Sequence, residues 1–336
     1  TSSLMSTPDS KVDTNARRPA MLRTAFCETV REALEDTQTI EVMANPDGSV
    51  WIEKAGAGII VTKASLDSAA RERVIRLVAA GAGDARLKIS SSIVSAELPG
   101  GGERIEGLLP PVATAPCITL RKPAASPFSL DDYVDQGALS PALSAALRVA
   151  VERRNNIVIS VGSSSGKTTF TYALLAEAAF EQDRIVILED TRELNCLAPN
   201  KIQLRTHHGN TSLQDLVRST LRLRPDRIIV GEVRGGEALD LLKAWNTGHP
   251  GGITTLHANS ARGALQRLEQ LTMEATRHVP FDLIAGAVNV VVFMSRADGN
   301  RRVEDAVRIL EFDGGDYVTE PLVSRSLSLV TEGQTS

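Results

Sequence analysis

Apolar residues follow two rhythms along this chain. Beyond residue 156 they cluster in short β-favouring runs, over 157–161, 185–189, 227–231 and 253–257. Weaker runs lie at 202–205, 288–294 and 306–312. Between the runs they recur at helical spacing: over 170–179, as Leu213, Leu216, Val217 and Leu221, over 238–244 and over 261–271. Strand and helix in alternation predict βαβ units, hence an α/β domain with a mainly parallel sheet covered by helices.

Before residue 124 the rhythm differs. Leu22, Phe26, Val30 and Ala33 predict one amphipathic helix over 21–35. Runs at 39–43 and 49–53 flank Asn45-Pro46-Asp47-Gly48, a turn sequence, and predict a hairpin. A strand over 58–62 follows, then a helix capped by Asp67 or Ser68 with Ala70, Val74, Leu77 and Val78 on one face. Alternation over 87–98, 104–112 and 117–123 adds strands, the last two each ended by proline. This is a smaller α+β domain with a mixed or antiparallel sheet, and Trp51 fits it as a core or interface anchor. The stretch 124–138 carries Pro, Ser and Asp without periodicity and reads as a linker. Ser140-Pro141 then caps a helix that runs to Arg153.

Length agrees with two domains, since 336 residues exceed what one core usually supports. The expected division is a disordered tail at 1–20, domains at 21–123 and 139–321, and a weakly patterned tail at 322–336. With 42% hydrophobic and 23% charged residues, wholesale disorder is excluded. A net charge of -4 argues against a surface that coats nucleic acid. Cys27, Cys117 and Cys196 stand far apart with no CxxC pair, so neither a zinc site nor a disulfide framework is expected, and reduced thiols are the default. No apolar run reaches the about 18 residues that span a bilayer, and residues 1–20 lack the apolar segment of a secretory signal.

Chemistry enters at the end of the first buried-type run. Residues 157–161 lead directly into Gly162-Ser163-Ser164-Ser165-Gly166-Lys167-Thr168-Thr169 and then a helical pattern. Strand, small-residue loop, GK[ST] and helix form the order of a phosphate-binding loop. Small residues let the backbone wrap so that successive N–H groups face phosphate oxygens. The helix N-terminus favours an anion, Lys167 can reach the β- and γ-phosphates, and the Thr168 hydroxyl can ligate Mg²⁺. One departure is Val161, where the full pattern asks for glycine. Because 157–161 is a continuous β-favouring run, Val161 is expected to end the strand and Gly162 to take up the turn.

Three further polar groups end strands of the same sheet, where ligands of open α/β sheets bind. They are Glu189-Asp190-Thr191-Arg192-Glu193, Gly231-Glu232-Val233-Arg234-Gly235, and Thr254-Thr255-Leu256-His257. Phosphoryl transfer to water needs carboxylates to hold the metal and orient the water, and a donor near the γ-phosphate. Taken singly, each strand-end Glu also fits a helix cap. His207 and His208 read as turn residues. The basic run Arg218 to Arg227 reads as a solvated helix end or as an interface or phosphate-facing arginine patch.

In combination, SSGKTT, ILEDTREL, LRLRPDRIIVGEVRGGEALDLLKAWNTGHPGGITTLHAN and ARGALQRLEQL resemble the secretion ATPases that power type IV secretion and conjugation, type II secretion and type IV pili. The resemblance covers nearly the whole chain, because RRPAMLRTAF, EVMANPDG, RIEGLLPPV and FSLDDYV share it. It implies a homo-hexameric ring of RecA-like domains with PAS-like N-terminal domains as a second tier, hydrolysing Mg-ATP. It implies Glu189 as the Asp-box carboxylate, Glu232 as the Walker B carboxylate and metal-side group, and His257 as the His-box residue. Nucleotide contacts would come from Gly162, Ser163, Ser164, Ser165, Gly166, Lys167, Thr168 and Thr169, with Arg104 and Arg121 approaching the phosphates from the N-terminal domain. It also implies a cytoplasmic protein, peripheral at the inner membrane through other secretion-system components, with no direct nucleic-acid binding. Ser163 departs from the family's usual Thr, and the tetracysteine zinc module of many type II enzymes is missing, which favours the conjugation branch. The alternatives are a type II or pilus motor, a RecA-type nucleic-acid motor, and a nucleotide-binding scaffold without turnover.

Overall fold

The computed structural model describes residues 20–81, 91–98, 102–123, 128–162, 166–191, 193–194, 196–207, 210–297 and 300–323. Expectations for Ser163, Ser164, Ser165 and His208, for 87–90, and for the tails at 1–19 and 324–336 lie outside the described residues. The chain forms two units, Thr1–Ser126 and Pro127–Ser336.

The first unit opens with a short helix α1 (residues 20–25) and α2 (Glu28–Glu35). The single helix expected over 21–35 is thus interrupted at Phe26–Cys27, yet Leu22, Phe26, Val30 and Ala33 all reach the core. Strands β1 (Thr39–Ala44), β2 (Ser49–Lys54) and β3 (Gly58–Ser65) follow, then α3 (Ser68–Gly81). The side chain of Asp67 caps α3 by accepting from the Ala70 N–H at 2.7 Å. Strands β4 (Ile93–Glu97), β5 (Arg104–Leu108) and β6 (Cys117–Arg121) complete a sheet ordered β3-β2-β1-β6-β5-β4, with every neighbouring pair antiparallel. One face carries Val42, Ile52, Ile105 and Leu120 against Val30, Val74 and Ile75 of the helices. Arg71 of α3 is buried because its guanidinium donates to the carbonyls of Pro116, Leu66 and Pro46, tying three loops together.

The second unit begins where a linker is expected. Leu130–Asp135 instead form α4, with a reciprocal capping box between Ser129 and Asp132, and Leu130 and Tyr133 are buried in the unit's core. Helix α5 (Pro141–Glu152) follows, capped by Ser140. Then come β7 (Ile157–Val161), α6 (Lys167–Leu175), β8 (Ile185–Glu189), β9 (Lys201–Arg205), α7 (Leu213–Thr220), β10 (Arg227–Val230), α8 (Glu237–Asn246), β11 (Ile253–His257), α9 (Ala261–Met273), α10 (Phe281–Ala287), β12 (Val290–Ala297), β13 (Asn300–Asp313) and β14 (Asp316–Pro321). The sheet runs β14-β13-β12-β7-β11-β10-β8-β9. Its strands from β12 to β9 are parallel, and β13 and β14 extend it as antiparallel strands. Strand alternation sends Ile157, Ile159 and Val161 into a core shared with α4, α5 and α6. It sends Val158, Val186 and Leu188 into a second core under α7, α8, α9 and α10.

The charged groups of the central strands β7, β11, β10 and β8 stand at the two edges of this sheet. At the amino edge, Asp183 and Arg227 are only 3% and 2% exposed. Arg227 Nε donates to Asp183 Oδ2 at 2.5 Å and Nη1 to the Val151 carbonyl at 2.9 Å. Its guanidinium carbon lies 4.4 Å from the Phe180 ring centroid, and Arg154 pairs with the other oxygen of Asp183. The basic run thus ends in a core residue, while Arg218 pairs with Asp240 at the surface. Beside this cluster, Asn156 Oδ1 accepts from the Gly251 and Gly252 N–H groups at 2.8 and 3.0 Å. Its Nδ2 donates to the Ala287 carbonyl at 2.7 Å, and its own N–H donates to Asn289 Oδ1 at 2.8 Å. One amide therefore joins the entries to β7, β11 and β12.

Breaking the buried pair from one side strands a charge. Asp183→Ala is expected to destabilise the second unit by about 3–5 kcal/mol, read as a fall in its urea unfolding midpoint. Adding Arg227→Met to that variant should recover part of the loss. A single variant with an unchanged midpoint would show that the pair contributes little.

Candidate active site

Register brings the strand ends to one edge of the sheet. Val161 pairs with His257, and Val230 pairs with both Leu188 and Thr254. Glu189 and Gly231 therefore leave the sheet together, level with Thr255, and His257 stands two residues further along β11 at the same carboxyl edge. Val161 is buried and hydrogen-bonded into the sheet between His257 and Met294, so the β-branched residue ends the strand as expected.

Among the described residues of the loop, Gly162 is not the one that takes a glycine-only conformation. A Cβ on Gly162 would meet nothing within 4 Å, and Gly162 is not among the left-handed glycines. The left-handed residue is Gly166, with φ 84°, directly before α6. Only glycine holds that conformation without strain, so the glycine requirement of this loop lies at 166. Lys167, Thr168 and Thr169 then form the first turn of α6, whose leading N–H groups have no intrahelical acceptor.

Three predicted residues converge. Lys167 Nζ lies 2.8 Å from Glu232 Oε2 and 2.8 Å from His257 Nε2. His257 Nε2 is 3.3 Å from Glu232 Oε1. Burial pushes the Glu232 carboxyl up, but hydrogen bonds from Arg234 and Lys167 outweigh it and hold the group below the usual carboxylate range. Burial moves the Lys167 ammonium down from its ordinary value, against the pull of Glu232.

Glu189 is placed differently. It is 4% exposed, and its Oε1 accepts the N–H groups of Glu193 and Leu194 at 2.9 and 2.8 Å. That turn carries Glu193 to the loop helix, where Thr168 Oγ1 donates to Glu193 Oε2 at 2.8 Å. Glu193, visible in the motif but given no role from sequence, is thus the carboxylate beside Thr168. Arg234 was likewise passed over. Its Nη2 donates to Glu232 Oε2 at 2.9 Å and its Nη1 to Asp190 Oδ2 at 3.4 Å, linking two strand ends. Its signal was its place two residues after Glu232, on the same alternation. His207 stands apart, in a β-bridge with Thr211.

In the first unit, Arg104 and Arg121 sit directly opposite each other on β5 and β6. Glu41 faces Arg121 from β1, Glu97 faces Arg104 from β4, and Glu53 faces Glu41 from β2. These five residues form one charged row across five strands. Burial pushes the Glu41 carboxyl up, while Arg121 draws it back.

The family described as "Type II/IV secretion system protein" matches residues 27–305. "Conjugal transfer protein TrbB" of Rhizobium radiobacter is 47% identical over 290 residues, covering 86% of this chain and 89% of that one. "Type IV secretion system protein VirB11" of Brucella suis is 34% identical over 301 residues, covering 79% and 82%. The solved structure of the pilus retraction motor PilT with bound ADP shares the fold, with a TM-score of 0.60 at 19% identity over 87% of this chain and 80% of that one. Among the described residues no helix is long and apolar enough to cross a membrane. With residues 27–305 matched by the family and relatives of 47% and 34% identity over most of its length, this mixed α/β chain belongs to the type II/IV secretion system protein family.

Proposed function

We propose that the protein is an ATPase that hydrolyses Mg-ATP to drive assembly or transport in a conjugative type IV secretion system. On this reading the second unit is a RecA-like phosphate-loop domain, the first is PAS-like, and six chains form a ring peripheral to the inner membrane. The observation that carries it is the cluster of Lys167, Glu232 and His257 beside the left-handed Gly166. A phosphate-directed ammonium, a carboxylate kept ionised and an imidazole within about hydrogen-bond reach are the parts that hydrolysis of a phosphoanhydride requires.

Roles follow from the contacts. Lys167 and the N–H groups of Gly162 and of Ser163, Ser164, Ser165, Gly166, Lys167, Thr168 and Thr169 bind phosphate. The Thr168 hydroxyl and the Glu193 carboxylate are hard oxygen donors held together, a donor set that fits Mg²⁺. Mg²⁺, when bound, neutralises charge on the phosphates. Glu232 stands against Lys167 and His257, so orienting the attacking water falls to it. Glu189 holds the backbone turn that positions Glu193. The metal-side role that the resemblance gave to Glu232 passes on this reading to Glu193. Arg104 and Arg121 are assigned to the phosphates as well, on the family resemblance alone.

Mg-dependent ATP turnover, followed by phosphate release, tests the reading. Lys167→Ala should abolish turnover with the fold intact, and turnover at the wild-type rate would remove the phosphate-loop assignment. Glu232→Gln should bind ATP and lose turnover by roughly 10²-fold or more. Glu189→Gln should also lose turnover, together with a measurable loss of Mg²⁺ affinity, because the Glu193 turn is released.

Arg104→Ala and Arg121→Ala should each lower turnover. Equal rates and nucleotide affinities in both variants would return these arginines to the surface. In the loop, Gly166→Ala should weaken nucleotide binding strongly. Gly162→Ala and Val161→Gly should each change affinity by less than about tenfold, or ~1.4 kcal/mol. A neutral Gly166→Ala would show that the left-handed turn is not what shapes the site.

A further inference from the structure

Arg301 has no part in the roles assigned above. Strand β12 pairs with β7 as far as Met294 against Val161 and then continues to Ala297. The β12–β13 hairpin therefore extends beyond the carboxyl edge of the sheet, next to the loop that ends at Gly166. Arg301 lies on β13 two residues before Val303, so strand alternation puts both on the face that packs with Tyr133 and Phe170. The position a Cβ would take on Gly166 lies 2.7, 2.9 and 3.0 Å from Arg301 Cδ, Nε and Cζ. The guanidinium thus rests against the backbone of the one residue that shapes the loop.

Two observations say that this cation is meant for an anion. Among the described residues, Arg227, Arg234, Arg262 and Arg308 each have a carboxylate partner, and Arg301 has none. Beside it stands Tyr133, edge-on to Phe170 of α6 at 5.2 Å between ring centroids, 4% exposed and within the field of the Arg301 charge. The Tyr133 hydroxyl is buried with no hydrogen-bond partner, and a buried donor without an acceptor is costly. A cation without a carboxylate partner, held over the glycine that opens α6, is placed for phosphate oxygens.

We infer that Arg301 is a further nucleotide-binding residue, supplying beside Lys167 another cation to the phosphates of a bound nucleoside triphosphate. The inference rests on the nucleotide-binding reading above. Its role is binding, so no bond is made or broken by it.

The test measures affinity of the full-length protein for ATP and for tripolyphosphate by titration calorimetry. Arg301→Gln should weaken both by roughly tenfold or more, with the melting temperature in the absence of ligand unchanged. Arg302→Gln removes the same charge from the opposite face of β13 and should leave both affinities within about twofold. If Arg301→Gln fails to fold, Arg301→Lys decides: it keeps the charge and loses the planar fork, and a weakening of about threefold or more supports the inference, whereas none overturns it. Unchanged affinities in Arg301→Gln overturn it. So does a loss for ATP with tripolyphosphate unaffected, which would place Arg301 on the nucleoside. An equal loss in Arg302→Gln would reduce the effect to general electrostatics and overturn it too. Wild-type protein that binds neither ligand would instead remove the nucleotide reading itself, and this inference with it. If the wild type binds, Lys167→Ala does not, and Arg301→Gln binds normally, only the inference falls.

Discussion

A parallel sheet buried on both faces has nowhere to place charge except its two ends. That constraint organises the second unit. Ile157, Ile159 and Val161 fill one core and Val158, Val186 and Leu188 the other, so the strands themselves carry no functional polarity. The amino ends hold Asp183, Arg227 and Asn156, each committed to fixing the strand entries. The carboxyl ends hold Glu189, Glu232 and His257. The stabilising cluster and the candidate site are thus separated by the length of a strand, and the cost of burying a guanidinium falls on the end away from that site.

The carboxyl end is electrostatically dense but internally matched. Lys167 and Arg234 share Glu232, Arg234 also reaches Asp190, and Thr168 donates to Glu193. The two acidic motifs contribute carboxylates with unequal tasks. In the first, Glu189 faces backbone N–H groups and Glu193 faces the helix hydroxyl. Such division follows from burial: a carboxylate that is 4% exposed needs hydrogen-bond donors close at hand, and the turn's own N–H groups supply them.

Much of this was legible from residue patterns. Both-face burial of 157–161 and 185–189 is written in unbroken apolar runs, and the strand-end motifs follow them at once. What escaped has physical reasons. Helix α4 has six residues, three of them Asp, too few for a helical period to emerge, although Ser129 and Asp132 spell its capping box. Helix α10 is seven residues long and includes Gly286. Among site residues, the motif order pointed to Glu232 and His257 but could not say that Glu193 rather than Glu232 meets Thr168. That depends on how the chain turns after Glu189. The glycine of the turn was misplaced for the same reason: Gly162 and Gly166 look alike in sequence, and only backbone angles separate them.

The Asn156 amide sets a limit on chemical ageing and on sequence drift. Its oxygen faces two N–H groups and its nitrogen faces a carbonyl, so the orientation of the amide is fixed by its neighbours. Hydrolysis of that amide to aspartate changes a single heavy atom and adds no bulk. It would nonetheless turn the donor toward Ala287 into an acceptor and set a negative charge against a carbonyl oxygen in a site that is 3% exposed. The smallest covalent change available at this position is therefore among the least tolerable. A chain that has lost this nitrogen would begin to part where β7, β11 and β12 enter the sheet, far from the chemistry it serves.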